Sequence, residues 1–180
     1  MKSRLYDKYK KEVAPALKEK LAIKNVMAVP KVMKVCLNVG INSRQTESGY
    51  LDMVESTLTR ITGQKPVRTK AKKAISAFKV RENMVVGVKV TLRGQKMYDF
   101  LEKLIDISIP RIKDFRGLKV SNIDENGSLS LGFKENSVFP EIKAEEMERT
   151  HGLQVNIMTN AGDYEAGLEL FKLLGFPFQK

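Results

Sequence analysis

GQKPVRTKAKKAISAFKVRENMVVGVKVTLRG, residues Gly63–Gly94, holds two strand signals separated by a cationic excursion. At its C-terminal end, Val85 to Arg93 alternates strictly. Val86, Val88, Val90 and Leu92 fall on one side, and Gly87, Lys89, Thr91 and Arg93 on the other, which is the period of a strand with one face buried. Pro66 opens a shorter strand, with Val67 and Thr69 on one face and Arg68 and Lys70 on the other. Between Gln64 and Arg81 there is no acidic residue, while Lys65, Arg68, Lys70, Lys72, Lys73, Lys79 and Arg81 all fall there. Such a run makes a poor core and a good surface for a polyanion.

Outward from this stretch the elements follow by period. Val32 to Gly40 reads as a strand with Met33, Val35, Leu37 and Val39 inward and Lys34, Cys36, Asn38 and Gly40 outward. Leu5, Tyr9, Val13, Leu17 and Leu21 predict a helix over Ser3 to Ile23, kinked or restarted near Val13 by Pro15. Ile41 to Thr46 reads as a polar loop. Glu47 to Thr62 reads as a helix, with Leu51, Val54, Leu58 and Ile61 as its stripe and Gly63 as its stop.

Gln95 to Ile107 is the clearest helix, and Val120 to Phe133 reads as a hairpin turning at Asn126-Gly127 through a type I′ turn. A short helix is expected over Ile142 to Arg149 and a strand over Leu153 to Asn160. Asp163 stands at the N-cap of a last helix, which Gly175 stops. The elements sum to one α+β domain over residues 1–180: a mostly antiparallel sheet, helices packed on one face, the other face open for RNA.

That open face would carry Lys34 and Asn38 from one strand, Lys89, Thr91 and Arg93 from another, and Arg68 and Lys70 from the short strand. Cations neutralise phosphates, and Asn and Thr can bond to 2′-hydroxyls and shallow-groove edges. Paired aromatics for stacking single strands are missing from it, so folded RNA is the better ligand. Lys72 to Arg81 differs in kind. Ile75 and Phe78 lie among its cations, either to insert against a second nucleic-acid surface or, for Phe78, to tether the loop to the core.

Composition agrees. The 180 residues carry a net charge of +11 with 42% hydrophobic residues, which indicates a globular chain with an acidic partner. One cysteine, Cys36, and one histidine, His151, leave little room for a metal centre, and no cofactor fingerprint or catalytic cluster is present. His151 is expected to be a solvated turn residue. No apolar run suits a signal peptide or a membrane span, so a cytoplasmic protein without a membrane partner is expected. A nuclease, a membrane-surface protein using its basic N-terminal helix, and a general RNA chaperone are the rival readings.

Short segments in order along the chain resemble a known family. They are LNVG at Leu37 to Gly40, GQKP at Gly63 to Pro66, KVTLRG at Lys89 to Gly94, PRIKDFRGL at Pro110 to Leu118, FPEI at Phe139 to Ile142, and FPF at Phe176 to Phe178. Together they resemble the bacterial large-subunit ribosomal protein L5 family. The resemblance implies a five-stranded antiparallel sheet whose open face grips 5S rRNA, with Asn38, Gln64 and Thr91 as direct contacts. It also implies that the loop with Lys72, Lys73, Ile75, Ser76, Phe78, Lys79 and Arg81 reaches the peptidyl-site tRNA. Further implied partners are 23S rRNA, neighbouring 5S-rRNA-binding proteins and a small-subunit head protein across an intersubunit bridge, with a structural, non-catalytic role. One departure is local: where the family has Arg-x-Gly before a Pro at the loop exit, this chain has Arg81-Glu82-Asn83-Met84-Val85, and Asn83 can take the left-handed conformation in place of Gly.

Overall fold

A computed structural model describes residues 3–41, 48–142 and 150–179. The loop expected beyond Ile41, the first-turn position of Glu47 and most of the short helix expected over 142–149 lie outside the described residues. Five strands, β1 (Val32–Gly40), β2 (Val67–Lys70), β3 (Val85–Leu92), β4 (Leu129–Phe133) and β5 (Leu153–Thr159), form one antiparallel sheet in the order β2-β3-β1-β5-β4. With its helices, the fold is α+β. The chain divides into two compact units, interleaved in sequence. Met1–Val35, Arg93–Leu131 and Asn156–Lys180 make one, and Cys36–Leu92 with Gly132–Val155 make the other.

In the first unit, Arg4–Lys8, Tyr9–Val13 and Ala14–Lys20 run on as a single helix, α1. Its middle segment is a π turn, and Pro15 sits at the start of the α-helical segment that follows. The wide turn is how the helix absorbs a residue with no N–H to donate. Leu5, Val13 and Leu17 are buried as the stripe requires. The start of α1 is held by Glu102 of α3 (Gly94–Lys103): its carboxylate accepts from the Leu5 N–H at 3.4 Å, the Ser3 hydroxyl at 3.2 Å and Arg4 Nε at 2.6 Å. Asp163 stands at the N-cap of α4 (Tyr164–Leu174), yet its side chain accepts no capping bond. The turn before β4 packs Gly127 against Gly167 of that helix so closely that a Cβ on Gly167 would meet the Gly127 backbone. Gly127 has φ +73 but Asn126 does not go positive, so the turn is not type I′. The expected hairpin shrinks to one bridge, Ile123 to Leu129.

In the second unit, α2 (Ser48–Thr62) lies against β3. Leu51, Val54, Leu58 and Ile61 bury its stripe, and Val88, Val90 and Leu92 bury the facing side of β3. Each such side chain contributes about 1.5–3 kcal/mol on leaving water. Gly63 ends α2 with φ +64 and donates its N–H to the Thr59 carbonyl at 2.8 Å. His151 is not the solvated residue expected. It is buried, with Nδ1 3.3 Å from the Gly152 carbonyl oxygen, and burial holds its pKa below the usual histidine value.

Candidate nucleic-acid interface

The pleat sorts the side chains of β3 into two sets. Val88, Val90 and Leu92 turn to the core, while Lys89 is exposed and Thr91 half-buried on the other side. On β1, Val35, Leu37 and Val39 are buried and Lys34, Cys36 and Asn38 are half-buried. Val32 is also buried, three positions before Val35, so the strict alternation breaks at Met33 and Lys34. Met33, expected inside, is exposed for that reason.

Neighbouring strands meet through side chains. Thr91 Oγ1 lies 3.8 Å from Cys36 Sγ, as a donor to a weak sulfur acceptor. The Gln64 side chain reaches the same place from the turn after α2, where its Nε2 donates to the Thr91 carbonyl at 3.2 Å. Thus Gln64, Thr91, Cys36 and, one outward position along β1, Asn38 share a neighbourhood. The register of β2 against β3 adds Val67 opposite Lys89 and Thr69 opposite Gly87. Gly87 lies where the strands come nearest: a Cβ there would stand 2.8 Å from the Val39 carbonyl oxygen and 3.0 Å from Thr69 Oγ1.

Arg68 does not join this face. It pairs in register with Val88, whose side chain is in the core, and so it points to the helix side. There its Nε meets Glu55 Oε1 at 2.6 Å and its Nη2 meets Asp52 Oδ1 at 2.6 Å, both on α2. These hydrogen bonds hold the guanidinium firmly protonated and bring the Glu55 carboxyl below the usual carboxylate range. The expected placement of Arg68 beside Lys89 is therefore corrected. A four-residue edge strand with polar residues on both faces gives its pleat no apolar anchor, and the acids of α2 decide its direction. Lys70 is exposed next to a register shift between Thr69 and Lys70 that interrupts the alternation. Arg93 is exposed at the N-cap of α3, just past the end of β3. Among the described residues, Lys34, Lys70, Lys89 and Arg93 make no ion pair, and the Asn38 side chain makes no hydrogen bond.

The excursion is a built arm. The Ala71 N–H donates to the Met84 carbonyl at 2.9 Å and the Asn83 N–H to the Ala71 carbonyl at 3.0 Å, which closes the neck. Further out, Ile75 and Val80 exchange two backbone hydrogen bonds around a 3-10 turn, Ser76–Phe78. Asn83 takes φ +63 as its exit requires, and Lys79 takes φ +54. Lys72, Lys73, Ser76, Lys79 and Arg81 are exposed, as are Ile75 at 48% and Phe78 at 70%. The tether to the core is excluded: Phe78 faces solvent.

Among the described residues, no group of three His, Cys, Asp or Glu is placed to hold a metal, and no helix is long and apolar enough to cross a membrane. The comparisons converge on one family. The profile described as "Ribosomal protein L5" matches residues 25–81, and that described as "ribosomal L5P family C-terminus" matches residues 85–178. The chain belongs to the ribosomal protein L5 family.

Relatives match end to end. The large ribosomal subunit protein uL5 of Streptococcus pyogenes serotype M49 is 46% identical over 180 residues, all of both chains. That of Thermoanaerobacter sp. is 46% identical over 178 residues, 99% of each, and that of Halothermothrix orenii 44% over 176 residues, 98% of each. The family is structural and non-enzymatic, so the nuclease reading falls.

Proposed function

We propose that the chain, by its family a structural constituent of the large ribosomal subunit, binds 5S rRNA through the uncovered face of β1 and β3. The observation that carries this reading is the pair of unsatisfied groups on the second unit: Lys89 without a carboxylate partner and Asn38 without a hydrogen bond, both reachable by solvent. Lysines neutralise backbone phosphates and give most of the affinity, while Asn38, Gln64 and Thr91 bond to sugar and base edges and set the register. Lys70, on the same unit, adds an exposed cation. Arg68 serves instead to hold β2 against α2.

The arm, residues 71–84, carries a second contact surface. Its cations and the solvent-facing Phe78 suit a phosphate backbone with an unstacked or terminal base, and the partner we assign to it is the peptidyl-site tRNA. Contacts to 23S rRNA, to neighbouring 5S-rRNA-binding proteins and to a small-subunit head protein complete the reading.

Binding of refolded protein to 5S rRNA and to an unrelated folded RNA, at fixed salt, tests it. Preference for 5S rRNA is expected, and Asn38→Ala is expected to weaken it by about 1–3 kcal/mol. Equal affinity for both RNAs would instead support the chaperone reading.

A further inference from the structure

A cavity of about 260 Å³ opens in the first unit, between the start of α1 and the start of α3, lined by Ser3, Tyr6, Gly94, Gln95 and Tyr98. Its wall is aromatic. The Tyr6 and Tyr98 ring centroids stand 5.0 Å apart, and Tyr9 backs Tyr98 at 6.4 Å. The hydroxyls of Tyr9 and Tyr98 differ in one respect. Tyr9 donates to the Pro30 carbonyl at 2.9 Å, as a buried phenol usually finds a partner. Tyr98 is only 7% exposed, yet its hydroxyl makes no hydrogen bond among the described residues and is not sealed from solvent. Burial pushes its pKa up to about 12, so the group is a neutral phenol that can both donate and accept.

The rim is positive. Arg93, at the N-cap of α3, supplies no side-chain capping bond, and open space lies where a Cβ on Gly94 would stand. A helix start left bare in this way favours an anion. Lys10 adds a cation, its Nζ 4.7 Å from the centroid of the Tyr6 ring. An apolar occupant would fill the space but leave the Tyr98 hydroxyl unpaired, at a cost. A planar ring with polar edges, carried on a phosphate, matches all three features. It offers a π face to the tyrosines, an edge group to the hydroxyl and charge to the helix start.

We propose that this cavity takes a nucleobase together with its 5′-phosphate: the base lies against Tyr6 and Tyr98, the Tyr98 hydroxyl bonds to its edge, and the phosphate meets the start of α3. A free nucleotide and a base turned out of an RNA present the same chemistry here. No residue of the face assigned to 5S rRNA takes part, so the inference does not rest on that reading.

NMR of the full-length protein with labelled tyrosine rings, titrated with the four ribonucleoside 5′-monophosphates and separately with ribose 5-phosphate, is the first arm of the test. Ring signals of Tyr6 and Tyr98 are expected to shift with at least one nucleotide and to stay in place with the sugar phosphate. Tyr98→Phe, which keeps the ring, is expected to weaken binding about fivefold, and Tyr6→Leu about tenfold. Melting temperatures of both variants report whether each has folded. Ultraviolet crosslinking in purified large subunits is the second arm. A nucleotide attached to the peptide that carries Tyr6 or Tyr98 identifies RNA as the source, and nucleotide-induced shifts without such an adduct identify a free nucleotide. Neither shifts nor adduct overturns the proposal. So do equal shifts with ribose 5-phosphate, which leave an anion site only, and so does a Tyr98→Phe variant that binds as wild type does. The nucleotides are titrated without 5S rRNA, so failure here leaves the 5S reading standing, and failure of that reading leaves this one.

Discussion

Arg68 reaches Glu55 at 2.6 Å, and in doing so it leaves the face of the sheet on which Lys89 stands. Two cations one register step apart therefore have different tasks. Lys89→Ala is expected to lower the slope of log K against log salt for 5S rRNA by about one, the signature of a lost phosphate contact. Arg68→Ala is expected to leave that slope unchanged and to lower the melting temperature slightly. Salt titrations of the two variants side by side check this, and equal slopes for both would return Arg68 to the RNA face.

Glu102 replaces a side-chain N-cap for α1. Glu102→Ala is expected to destabilise the fold by about 1 kcal/mol, the scale of a lost cap. Burial raises the Glu102 pKa, but bonds from Arg4, the Leu5 N–H and Ser3 outweigh it, and the net shift is downward. Stability from this group is thus present above the pKa of the unfolded chain and disappears as pH falls through the lower, folded value. Melting temperatures of wild type and Glu102→Gln, measured from pH 7 to pH 3, are expected to converge at the acid end.

His151 gives a second acid dependence at a higher pH. Burial lowers its pKa, opposed by the Gly152 carbonyl, so the folded state prefers the neutral ring. The stability it allows is complete above about pH 6.5, the unfolded value, and is lost as pH falls through the folded pKa. His151→Gln is expected to flatten the stability profile between pH 7 and pH 5. An identical slope in chemical denaturation of the variant would show that the ring charges without penalty.

Phe78 is exposed on an arm closed by backbone hydrogen bonds. Phe78→Ala is expected to change stability by less than about 0.5 kcal/mol, as exposed substitutions do. Binding of 5S rRNA is also expected to be untouched, while crosslinking of the arm to peptidyl-site tRNA in assembled ribosomes falls severalfold. A large drop in melting temperature would place Phe78 in the core after all.

Much of this was legible along the chain. β3 alternates because Val88, Val90 and Leu92 on one of its faces are buried, with Val86 half-buried where the strand begins, and Gly63 and Gly175 stop their helices because each takes positive φ there. Asn83 shows its left-handed turn for the same local reason. What escaped depends on neighbours distant in sequence. Arg68 is turned by Asp52 and Glu55, thirteen or more positions away. His151 is buried by packing that no local pattern announces. Thr62 ends α2, and its hydroxyl meets the Gln64 backbone only through a turn that folding creates. Cys36 stands at an outward strand position, and nothing beside it in sequence announces that Thr91 comes to its sulfur.

Gly87 sets a limit on how this surface can be altered. With the Val39 oxygen and the Thr69 hydroxyl so near, even a methyl group would wedge the strands apart, so the middle of the sheet must stay bare backbone. Any change to this surface is confined to the side chains around this crowded point, where backbone and hydroxyl already take the room a methyl group would need.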